Sequence, residues 1–418
     1  MAKEQSKAGF SDNQKRRFLY LFPTVIIIAG LFFDSPLESI KNLLIIDFSQ
    51  AVLLTDYFAV AGIGSALINS GLLMLIASFI GIKSKVEVNG LFIAAVFTLG
   101  GFALFGKNPY NVAGIILGVF IYSRIKREKF SKYLLTAYLG TGLGPLISQI
   151  SFGMKLNPVL AVVLGNLSGL LIGFILVPLA GSFSRFHQRF SLYNVGFTAG
   201  VIGMIFMSFF RLLHYDHEMV NKIVEKTDIK LAVFLIICFS SMLIVGLIYG
   251  KGDLKRYLRI LSYDGKSVID FLAAEGFAAV LLNMGIMGIL STAFVLLTKA
   301  PLNGPVVGGI FTVVGFSAYG KHPRNTVPVI IGVVLAGLVV GNSISTTGVM
   351  VTALFSTALA PIVGNYGYIA GVLAGFLHMA LVSNLGYLHG GMNLYNNGFS
   401  AGFIAAFLAP LCQAFKRK

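Results

Sequence analysis

Two lysines stand in the same hexapeptide frame, Gly106-Lys107-x-Pro109-x-Asn111 and Gly320-Lys321-x-Pro323-x-Asn325. Each frame follows a Gly-rich apolar run and precedes a short one. Pro109 and Pro323 suit the first turn of a helix, where the missing amide hydrogen would have no partner anyway. Asn111 and Asn325 then fall within that turn. An ammonium beside a helix N-terminus is chemistry for an anion, because the amide hydrogens and the helix dipole add to the lysine charge. The plainer alternative is a pair of interfacial lysines in ordinary turns, reaching for lipid headgroups.

A second pair is Leu192-Tyr193-Asn194-x-Gly196-Phe197-x-Ala199-Gly200, which recurs as Leu394-Tyr395-Asn396-x-Gly398-Phe399-x-Ala401-Gly402. Tyr and Asn can hydrogen-bond a polar solute inside a membrane. The glycines let helices approach closely, which leaves a pure packing role open as well. Asn69 and Asn283 lie mid-segment in both copies, as do Thr98 and Thr312. A polar side chain in hydrocarbon needs a partner, so these should face the bundle or a cavity. Asp270 and Glu275 precede a long apolar run and are candidates for coupling protons or sodium. Glu275 has no counterpart, since Ala61 takes the matching place, and it could equally be the structural partner of a cation. His378, His389 and His322 show no metal-ligand spacing with cysteine or carboxylate. No Walker A sequence occurs, and neither a cofactor nor catalysis is expected.

These residues belong to a longer duplication. Residues 56–111 align without a gap on 270–325 at a spacing of 214. Only 11% of the 418 residues are charged and 56% are hydrophobic. The mean hydropathy is +0.85, whereas a soluble domain carries about 25% charged residues. Apolar runs of about 20 residues recur along the chain, which marks an all-α polytopic membrane protein. The first half offers apolar segments at 18–33, 61–82, 90–106, 110–123, 133–153, 157–181 and 191–210. The second offers 232–250, 275–297, 303–319, 326–341, 347–364, 366–385 and 394–413. The organisation expected is a tail (1–17), a first repeat (18–210), an external linker (211–231), a second repeat (232–413) and a short tail (414–418). Segments 36–58 and 251–272 read as interfacial. The apolar run after the basic tail lacks a small-residue cleavage signature, so it reads as an uncleaved first span. Cys238 and Cys412 give no disulfide framework.

Seven segments per half would invert the second repeat. Lysine and arginine test this. With the N-terminus in the cytoplasm, 24 of them fall on the cytoplasmic side and 8 outside, as the positive-inside rule requires. The basic loop 124–132 has an uncharged counterpart at 341–348. The net charge of +16 is thus a topology signal and not a nucleic-acid footprint. The segments flanking each lysine frame are short for full spans. They could form two re-entrant half-helix hairpins whose tips meet near the midplane.

With both paired motifs, nearly the whole chain resembles an uncharacterised family of prokaryotic polytopic membrane proteins, known only as a domain of unknown function. A fainter resemblance is to the urea transporters, which have inverted halves and a Tyr-Asn-plus-Gly segment beside the pore. Tyr193-Asn194 and Tyr395-Asn396 match that segment. The Asn-Pro-Leu-x-Gly motif of that family is absent, the nearest sequences being Asn69-Ser70-Gly71 and Asn283-Met284-Gly285. The expectation is therefore a secondary transporter of a small polar or anionic solute, multi-pass in a prokaryotic cytoplasmic membrane with both termini in the cytoplasm. Its partners would be solute, lipid and further copies of itself. A passive channel for a neutral solute is the alternative. A lipid-acting enzyme fits less well, since the candidate carboxylates and histidines are scattered.

Overall fold

The computed structural model describes residues 10–215, 222–266 and 269–415. Residues 1–9 and 416–418 of the two tails, and 216–221 of the expected linker, lie outside the described residues. No strand occurs among the described residues, and nine helices are long and apolar enough to cross a membrane. The protein is an all-α multi-pass membrane protein.

Fourteen helical segments carry the fold. They are α1 (Asp12–Phe33), α2 (Ile63–Lys83), α3 (Gly90–Phe102), α4 (Pro109–Ile125), α5 (from Leu134–Gly140 to Gln149–Gly153), α6 (Pro158–Phe186) and α7 (Asn194–Leu212). The others are α8 (Ile229–Tyr249), α9 (Phe277–Leu297), α10 (Gly304–Phe316), α11 (Pro323–Val339), α12 (from Thr347–Ser356 to Ala360–Tyr366), α13 (Tyr368–Leu385) and α14 (Asn396–Phe415). The first helix starts earlier than hydropathy suggests, because Ser11 and Gln14 form a capping box. Lys15, Arg16 and Arg17 thus ride on helix and not on a free tail.

Local structure coincides between the copies. The helices α2 and α9 each follow a left-handed glycine, Gly62 (φ 90°) and Gly276 (φ 84°). The segments α5 and α12 are each interrupted by a 3-10 turn, Thr141–Leu143 and Thr357–Leu359. A proline follows each turn (Pro145, Pro361) and opens the next helical piece, since it has no amide to give to the preceding one.

The centre is α3 against α10. Gly90 at the start of α3 lies against Ala318 beyond the end of α10, and Gly304 at the start of α10 lies against Leu104 beyond the end of α3. The two equivalent helices therefore run antiparallel. Their contact is glycine to glycine: a Cβ on Gly308 would come within 2.5 Å of the Gly101 carbonyl oxygen. Around this pair, α1 packs on α2, α4 on α6, α8 on α9, α11 on α13, and α7 on α14. One hydrophobic core runs through both halves. Leu21, Phe32, Ile237, Ile248, Ile369 and Phe407 point outward on the peripheral helices, as lipid-facing residues do.

Each 13-residue central helix is about 20 Å long. Because the two are antiparallel, the turns that follow them lie at opposite ends of the pair. This corrects the expectation that the lysine tips meet. The arms α3 and α4 also do not pack along each other, since α4 turns away to α6.

Candidate functional site

Each lysine frame is a braced turn. Gly106 (φ 111°) and Gly320 (φ 94°) reverse the chain in a conformation that favours glycine. The Lys107 amide then donates to the Phe102 carbonyl, and the Lys321 amide to that of Phe316, both at 3.1 Å. Asn108 caps α4 by accepting from the Asn111 amide at 2.8 Å, while the Asn111 side chain accepts from the Asn108 amide at 3.1 Å. The Asn111 amide group donates back to the Gly106 carbonyl at 2.9 Å and to Ser148 Oγ at 2.9 Å. Asn325 repeats the pattern, accepting from the His322 amide at 3.0 Å and donating to the Gly320 carbonyl at 2.9 Å.

Asn69 and Asn283 complete the bracing. The Asn69 amide donates to the Ala103 carbonyl (2.7 Å) and the Lys107 carbonyl (2.8 Å). The Asn283 amide donates to those of Ser317 and Lys321, both at 2.7 Å. Carbonyls past a helix end lack partners, and hydrocarbon offers no water to supply them. Asn69, Asn283, Asn111 and Asn325, expected to bind solute or line its path, each donate to the backbone that holds the lysines, and Asn111 gives its other hydrogen to Ser148.

The lysines themselves meet the second motif, crosswise between the halves. Lys321 Nζ donates to Tyr193 Oη and, at 2.7 Å, to Thr357 Oγ1, and sits 4.5 Å from the Tyr193 ring centroid. Lys107 Nζ lies 4.9 Å from the Phe102 ring and 5.7 Å from the Tyr395 ring. It meets no hydrogen-bond partner among the described residues, and neither does Tyr395 Oη. Both lysines and both tyrosines are buried. The tyrosine rings stand 6.2 Å apart, so Lys107, Tyr395, Tyr193 and Lys321 form a line joining the two turns. The tyrosine segments are pinned by backbone bonds, Leu192 amide to Ala358 carbonyl and Leu394 amide to Gly142 carbonyl, both 3.0 Å.

Near the Lys321 end, a cavity of about 320 Å³ is lined by Tyr263, His322, Arg324 and Asn325. On the Lys107 side, a groove of about 940 Å³ is lined by Gln149, the neighbour of the Ser148 that Asn111 touches.

The remaining candidates lie off this line. Asn194 and Asn396 each bond a histidine, His187 and His389 (3.0 Å), and donate to a carbonyl, Ala180 (2.9 Å) and Val382 (3.2 Å). Thr312 bonds the Gly308 carbonyl within its own helix at 2.8 Å, while the buried Thr98 hydroxyl has no partner among the described residues. Glu275 accepts from Arg259 Nη2 at 2.7 Å and from the Tyr263 hydroxyl at 2.8 Å. Asp270 accepts from the Gly90 amide at 2.8 Å and the Leu272 amide at 2.8 Å. Asp56 mirrors it, accepting from the Gly304 and Val224 amides, each at 2.9 Å. Each aspartate thus caps the central helix of the other half. Burial pushes Asp56 up to about 6.

Three further pairings in the sequence bear on these contacts. Thr141-x-Leu143-x-Pro145 recurs as Thr357-x-Leu359-x-Pro361, and it contains the threonine that holds Lys321. The spacing His187 to Asn194 equals His389 to Asn396. Asp56 aligns with Asp270, but nothing local says that each reaches into the opposite half.

No curated protein and no solved structure matches the chain. One family model does, over residues 35–212 and again over 251–414, its description being protein of unknown function (DUF1576). The two stretches take in the lysine turns, both tyrosine segments and both capping aspartates, and on that match the chain belongs to the DUF1576 family.

Proposed function

We infer that this membrane protein is a secondary transporter of a small polar or anionic solute, working by alternating access between two inverted repeats. The observation that carries the reading is the buried line Lys107–Tyr395–Tyr193–Lys321, which connects turns at opposite ends of the antiparallel central pair. Equivalent helices running antiparallel are what an inverted duplication produces, and the excess of Lys and Arg on one side supports the same arrangement. Rigid, braced turns suit a site that must keep its geometry while helices around it move. A carrier is favoured over a passive channel because all four members of the line are shielded, which leaves no open pore along it. Neither role calls for catalysis. The setting inferred is a prokaryotic cytoplasmic membrane, with both termini inside.

Proteoliposome uptake tests this. Purified protein should accumulate or exchange one class of labelled small solute, and Lys321→Met should abolish that flux in folded, monodisperse protein. Flux that runs only down the solute gradient, without exchange, would mean a channel. Full activity in Lys321→Met would remove the line from the mechanism.

A further inference from the structure

The two lysine sites share their parts but not their bonds. Lys321 is engaged: its ammonium gives one hydrogen to Tyr193 and another to Thr357. In the first repeat's frame the equivalent positions hold the same residue types, Tyr395 for Tyr193 and Thr141 for Thr357, and the Tyr395 ring lies 5.7 Å from Lys107 Nζ. Here Lys107 Nζ and Tyr395 Oη are both buried and both without a hydrogen-bond partner among the described residues. Both threonines give their hydroxyls to a carbonyl three residues back, Thr141 to Tyr138 and Thr357 to Leu354, each at 2.6 Å, so the difference lies in the lysine and tyrosine alone.

We propose that Lys107 and the Tyr395 hydroxyl form a binding subsite for a small monoanion of halide, nitrate or formate size. This deepens the carrier reading and rests on it. An ammonium offers only donors and a phenol O–H offers one, and both are buried without a partner among the described residues, so the occupant is an acceptor and not a cation. A buried charge is costly unless paired, and one ammonium balances one negative charge. The walls are apolar: Phe102 and the Tyr395 ring flank the ammonium, Phe105 packs on Phe102 at 5.1 Å, and Leu394 abuts Gly106. A dianion there would keep one charge uncompensated. A bulky organic anion has no room, since Tyr395 also packs against Gly142. Lys321 carries the same charge but already has two acceptors, so the two ends differ in affinity.

The test is thermal stabilisation of the full chain in detergent by sodium chloride, nitrate and formate, with gluconate as the bulky reference anion. One or more small monoanions should stabilise saturably. Tyr395→Phe keeps the ring and loses only the hydroxyl, so it should fold and raise the half-saturating concentration at least tenfold. Lys107→Met should abolish saturation. Lys132→Met, which removes a surface charge paired with Glu128 at 2.8 Å, should bind as wild type. The proposal is overturned if no small monoanion stabilises the wild type beyond gluconate, or if Tyr395→Phe binds unchanged. Uptake measured in parallel separates the two readings. Binding that needs Lys107 without any uptake sinks the carrier and keeps the subsite. Uptake that ignores both Lys107 and Tyr395 does the reverse.

Discussion

At Gly106 and Gly320 the backbone turns back in the left-handed region, and each glycine also touches a neighbour closely. A methyl on Gly320 would come 2.8 Å from the Gly265 carbonyl oxygen, whereas one on Gly106 would meet a terminal carbon of Leu394 at 2.8 Å. A leucine tip can shift and a carbonyl cannot easily do so. Alanine at either position should cost about 1–3 kcal/mol of strain, with Gly320→Ala the worse of the two. Apparent melting midpoints of the two variants check the order, and equal midpoints would mean that Leu394 is as fixed as the backbone. The four asparagines make a related point. Their types and spacing suggested solute contacts, yet a side-chain amide has two donors; Asn69 and Asn283 give both to carbonyls of the lysine turns, and Asn111 and Asn325 each give one to the carbonyl of the turn glycine.

At the scale of elements, the decisive device is the crossed cap. Asp56 and Asp270 each cap a short helix of their own half, Tyr57–Ala61 and Phe271–Glu275, and tie it to the central helix of the other. Asp56 titrates near 6 when folded, against the ordinary carboxyl value of 3.8. Between those values the folded chain holds more proton than the unfolded one, so this group adds stability as pH falls through 6. That gain is complete below 3.8 and absent well above 6. Asp56→Asn cannot titrate. The melting midpoint of the wild type should therefore rise relative to Asp56→Asn when pH is lowered from 7 to 5. A constant difference across that range would show that Asp56 is solvated and ordinary. Both aspartates aligned in the sequence, but a chain that aligns with itself does not say which half it will cap.

For the whole molecule, the arrangement of the halves decides the path. In a parallel duplication the equivalent loops 124–132 and 341–348 would face the same side. In the inverted arrangement they face opposite sides. Single-cysteine variants at the exposed positions Lys129 and Asn342, made with Cys238 and Cys412 replaced, separate the two. An impermeant thiol reagent applied to intact cells should label Asn342→Cys and spare Lys129→Cys. Labelling of both, or of neither, would refute the inverted topology. The antiparallel central pair sends the two lysine turns to its opposite ends, and the two tyrosine rings meet between them.

The sequence by itself determined the membrane class, the duplication, the apolar segments and the paired lysine frames that open on a helix at proline. Each of these rests on local or periodic chemistry: hydropathy summed over a segment, proline at a helix start, glycine where the backbone reverses. Only the tertiary structure decided that Lys107 meets Tyr395 and Lys321 meets Tyr193, each across the halves. Only the structure, too, shows that one ammonium is bonded and the other is not. Those contacts join residues far apart in the chain, and they depend on how closely α3 and α10 approach through Gly101 and Gly308. Two near-identical motifs hold their lysines differently, and that difference exists only once both halves are packed together.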